Sequence, residues 1–158
     1  MILAFFVLML SPDRPLWPAK TILSKLHEKH PDQRLINRAL KVYTLYSDRS
    51  DSLAGVRALV PREARTVGFI GTEDDVDISL WRPFGGRRVE HFFLTDPPEE
   101  IRRKGVQYVV VGAARLAQQG VTFEAWRLAT GAELVATTNA IVKVAEGFQP
   151  WYVVRLNP

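Results

Sequence analysis

The chain has 158 residues, 47% hydrophobic and 24% charged, with 21 basic and 17 acidic side chains and a net charge of +4. That length suits one domain with an appended helical piece, and that balance excludes an intrinsically disordered chain. The absence of cysteine excludes disulfides, thiolate catalysis and cysteine-based zinc sites together, and the interspersed acidic residues leave the charge excess short of a nucleic-acid footprint.

Residues 1–10, MILAFFVLML, form an uncharged apolar run. As a helix it would rise only about 15 Å, half of a bilayer core. Three readings stay open: a signal-peptide core, the outer half of a final transmembrane helix in a longer membrane protein, and a buried core segment. Residues 11–18, SPDRPLWP, hold three prolines and read as an extended connector. Residues 21–30 then read as a short helix. After Pro31, with Asp32 as a cap, residues 33–46 place Leu35, Ile36, Ala39, Leu40, Tyr43 and Tyr46 on one helical face and Arg34, Arg38 and Lys41 largely on the other. Ser50 or Asp51 is expected to cap a third helix that Pro61 ends.

The stretch 66–81, TVGFIGTEDDVDISLW, organises the rest. Its first five residues suit a strand buried on both faces; Gly71 is expected to turn the backbone sharply, and Asp74 and Asp75 follow where a helix could begin. A single helical turn is expected near 76–81, a loop over 82–88 (RPFGGRR), a second strand over 89–94, a helix from Pro97 to the Lys104-Gly105 stop, and a third strand over 107–111. Thr122 is expected to cap a helix that Gly131 ends. Residues 134–144 and 151–156 read as an antiparallel hairpin at one sheet edge. The fold expected is α/β: a small Rossmann-like three-layer sandwich with a mostly parallel sheet, an antiparallel C-terminal hairpin, and two or three helices in front. Its divisions are an apolar segment and connector over 1–18, a helical lead-in over 19–60 and the α/β domain over 61–158.

Ligands of such sheets gather at the carboxyl ends of the strands, which directs attention to Gly71, Asp74, Asp75 and Asp77. Asp75-Val76-Asp77 could hold a divalent cation against a diphosphate, since hard oxygen ligands suit Mg²⁺ or Mn²⁺, but the triplet is common by chance and the favoured reading is a solvated loop with a capping aspartate. Trp81, Arg82, Arg87 and Arg88 flank a double glycine near Phe84, a set able to clamp a phosphate or stack on a sugar, or else to bridge to the aspartates of the acidic turn. The spacing Gly68-Phe69-Ile70-Gly71 departs from the dinucleotide fingerprint, so no NAD or FAD site is expected. No serine sits in a nucleophile elbow, and His27, His30 and His91 lack a metal-ligand pattern. No cofactor, metal ion or nucleic-acid partner is expected.

The order of these features resembles the C-terminal extracytoplasmic domain of bacterial polytopic membrane glycosyltransferases of the protein-mannosyltransferase and aminoarabinose-transferase type. The matching pieces are MILAFFVLML with SPDRPLWPA, the helical stretch through Tyr46-Ser47-Asp48-Arg49-Ser50-Asp51-Ser52-Leu53, TVGFIGTEDD, DISLWRPFGGRRVEHFF and IRRKGVQYVVVG. The resemblance implies an accessory, non-catalytic domain on the periplasmic face of the inner membrane. Its partners would be the membrane region of the same parent protein and a polyprenyl-phosphate sugar or lipid head groups. It assigns no catalytic residue here, because the family's catalytic acids belong to the membrane region. The alternative is a free-standing soluble nucleotide-sugar- or phosphate-binding protein with Asp75 and Asp77 as a metal site.

Overall fold

The structure, a computed structural model, describes residues 17–48, 51–143 and 146–157. The apolar run over 1–10 and most of the connector lie outside these residues. Among the described residues no helix is long and apolar enough to cross a membrane. The chain divides into two compact units, Met1–Ser50 and Asp51–Pro158. The boundary thus falls at 50/51, ahead of the expected 60/61, and the third helix belongs with the sheet.

In the first unit, α1 (Trp17–Lys29) and α2 (Arg34–Asp48) pack against each other. The connector therefore ends sooner than expected: Trp17 and Pro18 open α1, where proline's missing N–H costs nothing. The turn between the helices is closed by Asn37, whose Nδ2 donates to the Pro31 carbonyl at 2.6 Å. Tyr43 and Leu45 are buried in α2, whereas Leu35 is 81% exposed despite its place on the apolar face.

The second unit is α/β. It comprises α3 (Ala54–Leu59), β1 (Thr66–Ile70), a 3-10 turn (Ile78–Trp81), β2 (Arg88–His91), α4 (Pro98–Arg103), β3 (Tyr108–Gly112), α5 (Ala113–Gln118), α6 (Phe123–Thr130), β4 (Ala132–Ile141) and β5 (Phe148–Leu156). Five strands make one mixed sheet in the order β2-β1-β3-β5-β4. β1 pairs in parallel with β2 and β3, while β5 runs antiparallel to both β3 and β4.

Period-2 alternation sorts the strand residues between two cores. Val67, Phe69, Val110, Trp151 and Val153 pack with Leu53, Val56 and Val60 of the α3 region on one face. Ile70, Val109, Val111, Val154 and Leu156 pack on the other with Ile101 of α4, Leu116 of α5 and Trp126 of α6. Helices on both faces of the sheet give the expected three layers, and Trp126 and Trp151 lie in them as buried side chains. Close packing extends to Gly68, where an added Cβ would come within 3.0 Å of Val109 and 3.1 Å of Val106.

Local chemistry accounts for several boundaries. The Thr122 hydroxyl accepts the Ala125 N–H at 3.2 Å and starts α6, and Gly131, at φ +63°, ends it. Asp51 does not cap α3; it bonds the Arg57 guanidinium, and Leu53 holds the cap position, its N–H donated to Ser79 Oγ at 3.0 Å. Asp96 accepts the Phe93 N–H at 2.8 Å, so it closes a turn just ahead of α4. The hairpin is not wholly at the edge: β5 lies inside the sheet and β4 alone forms the margin.

Candidate functional site

The carboxyl ends of β1 and β2 frame a depression of about 190 Å³ lined by Gly71, Thr72, Asp75, His91, Phe92 and Arg115, among others. Gly71 is required there for space, since an added Cβ would lie 2.6 Å from two ring atoms of Phe69; its φ is not positive, so the left-handed freedom of glycine is not what the position uses. The Phe69 ring is held in turn by Trp151, stacked at 5.7 Å, and by His91, edge-on at 5.2 Å.

Asp75 is the centre of the acidic turn. Its side chain is 1% exposed, and Oδ2 accepts the Thr72 N–H at 2.7 Å. Its Oδ1 has no hydrogen-bond partner, but Lys143 Nζ stands 3.6 Å away. That ammonium donates to Thr72 Oγ1 at 2.6 Å and to Glu146 Oε1 at 3.2 Å, and lies 3.9 Å from Asp74. Burial alone would lower the Lys143 pKa, but Asp75, Glu146 and Asp74 outweigh it and hold the pKa above the ordinary lysine value. The Thr-Lys contact therefore presents a cation to the hydroxyl. A lysine acting as a base toward Thr72 would need the opposite shift.

Asp77 faces other partners. Its Oδ2 accepts from Trp81 Nε1 at 2.9 Å and lies 2.9 Å from His91 Nε2. Asp75 and Asp77 thus turn to separate groups, and among the described residues no cluster of three His, Asp or Glu side chains is placed to hold a metal ion.

Among the described residues Arg82, Arg87 and Arg88 do not bridge to the acidic turn. Arg82 lies 3.6 Å from Asp51 and over the Phe84 ring, and Arg88 pairs with Glu90 on its own strand. Arg87 donates from Nε to the Ala64 carbonyl at 3.1 Å and from Nη2 to the Pro61 carbonyl at 3.0 Å. Arg82 and Arg87 belong to a second cleft, of about 560 Å³, beside the amino ends of β1 and β2. The eight residues singled out from sequence therefore occupy different ends of the strands: Gly71, Asp74 and Asp75 lie at the carboxyl ends and Arg82 and Arg87 at the amino ends. Asp77 and Trp81 lie on the crossover between them, and Arg88 is on the exposed margin. Sequence reasoning missed Thr72 and Lys143, which are 71 positions apart and carry no local signal. It also passed over Arg57, Arg62 and Arg65, whose recurrence ahead of β1 was visible.

No protein family, no curated protein and no solved structure matches the chain.

Proposed function

We propose that this chain is the accessory, non-catalytic domain of a bacterial membrane glycosyltransferase that takes its sugar from a polyprenyl phosphate. It stands on the periplasmic face of the inner membrane beside the membrane region of the same protein, and helps to recognise the acceptor or the lipid-linked donor. Supporting this are the order of features along the chain and an α/β sheet whose inner strands fall on TVGFI and YVVVG. The observation that carries the non-catalytic part is the mutual pairing in the acidic turn. Asp75 is tied to Thr72, and Lys143 is retained as a cation by three carboxylates, so neither is poised as the base or nucleophile that transfer chemistry would require.

Reporter fusions to the C-terminus of the complete gene product test the placement. Alkaline phosphatase should be active there and a cytoplasm-dependent fluorescent protein dark; the reverse pattern would overturn the reading. A free-standing phosphate-binding protein is the second reading, favoured by the arginine-lined cleft. Its metal-dependent form has less support, because Asp75 and Asp77 face separate partners.

A further inference from the structure

Five arginines converge on the cleft at the amino ends of β1 and β2: Arg57 from α3, Arg62 and Arg65 from the segment leading into β1, and Arg82 and Arg87 from the crossover to β2. Among the described residues no carboxylate lines it. Asp51, beside it, bonds Arg57 and lies 3.6 Å from Arg82, and among the described residues it is the carboxylate that pairs with any of these five arginines. Like charges gathered on one wall repel unless a counter-charge joins them.

The donors of these side chains are only partly used. Arg62 has no hydrogen bond or ion pair among the described residues, and Arg65 reaches only the Gly86 carbonyl, at 3.5 Å. Two further donors, Arg82 Nε and Arg87 Nη1, are shielded from solvent without a partner, an arrangement that ordinarily costs stability. Burial first, and then the nearby Arg57 guanidinium, lower the Arg87 pKa. The framework is nevertheless fixed, because Arg87 is held on the Pro61 and Ala64 carbonyls and Arg57 on Asp51 and the Ser79 carbonyl.

We propose that this cleft binds a phosphate or diphosphate ester through Arg62, Arg65, Arg82 and Arg87. Guanidinium forks match tetrahedral oxyanions in pairs of hydrogen bonds. A volume of about 560 Å³ lies within the usual range of roughly 300–1,000 Å³ for small-molecule sites, leaving room for the group that the phosphate carries. The site lies away from the acidic turn, and it stands whether or not the chain belongs to a transferase. The ester comes either from a free metabolite or from a lipid, and both present the same head chemistry.

Titration calorimetry of the full chain in neutral detergent, with inorganic pyrophosphate and then sulfate at equal ionic strength, tests the assignment. Pyrophosphate should bind at least about tenfold more tightly than sulfate, as paired charge-assisted hydrogen bonds to two tetrahedral groups require. Arg62→Glu and Arg65→Glu, both on exposed side chains, should each weaken binding by about tenfold with unchanged circular dichroism. Arg62→Gln should weaken it less, and Arg103→Glu, on an exposed side chain of α4, should not change it. Equal binding of the two anions, or pyrophosphate binding indifferent to Arg62 and Arg65, would overturn the proposal. Arg62-dependent recruitment to phosphatidylcholine vesicles doped with phosphatidic acid would identify a lipid source. Pyrophosphate binding without such recruitment would identify a free one.

Discussion

Replacing Gly71 by alanine tests how the carboxyl end of β1 is built. The new methyl would sit 2.6 Å from two atoms of the Phe69 ring and 3.1 Å from Asp75 Oδ2. The ring contact falls about 1 Å short of a comfortable carbon–carbon separation of roughly 3.5 Å. A mobile ring would swing aside, but Phe69 is 1% exposed and lies between Trp151 and His91. Overpacking of this kind costs about 1–3 kcal/mol. Because Gly71 does not have a positive φ, alanine also recovers about 0.4–1 kcal/mol by restricting the unfolded chain. The net expectation is a loss centred on about 1.3 kcal/mol and no larger than about 2.6 kcal/mol, read as a lower urea midpoint by tryptophan fluorescence. In a Phe69→Leu background the ring atoms are gone, and Gly71→Ala should become neutral or mildly stabilising. A Gly71→Ala protein at least as stable as the parent, with no coupling to position 69, would refute the packing argument.

Val110→Lys should cost about 3 kcal/mol or more, since Val110 is fully buried in the middle strand and packs in an apolar cluster; equilibrium unfolding reads it. Lys143→Met should cost about 1–3 kcal/mol by stranding the buried Asp75 carboxylate, and adding Asp75→Asn should restore part of the loss in a double-mutant cycle. The raised Lys143 pKa places its contribution fully below the ordinary lysine pKa, to be lost as pH rises through the higher folded-state value. Asp51→Asn should cost about 1 kcal/mol near neutrality, the pair with Arg57 being partly exposed. The Asp51 pKa is held below its ordinary 3.8, chiefly by the Arg57 hydrogen bond. Its stabilisation is therefore complete above the ordinary carboxylate pKa and lost as pH falls through the lowered one, so denaturation curves of parent and variant should converge in acid.

The parts of the fold that were legible are those that carry their own physics. Residues 66–70 and 108–111 are nearly all apolar and largely β-branched, and that suffices to mark strands covered on both faces. Thr122 and Gly131 delimit α6 because capping is local. By contrast α5, AARLAQ, has Gly112 at its cap position with no side-chain cap bond, and six residues are too few for a period to declare itself. The place of β5 inside the sheet depends on pairing with β3, some forty positions earlier by register, which no window of sequence reports.

The candidate site divided for a topological reason. Between two parallel neighbours the chain must travel back along the length of the strands. Residues that begin the β1–β2 crossover, such as Asp75, therefore lie at the carboxyl ends, and residues that finish it, such as Arg87, lie at the amino ends. Proximity in sequence across a parallel crossover implies separation in space. The partner that the acidic turn does find is Lys143, supplied by the far end of the sheet.

The central claim is that this chain serves a membrane transferase without performing the transfer. The most direct measurement is the coding sequence upstream of Met1 in the source genome. The account predicts several hundred in-frame codons with repeated apolar spans of about twenty residues, each able to cross a bilayer. A stop codon and ribosome-binding site immediately before Met1 would contradict it and leave a free-standing protein.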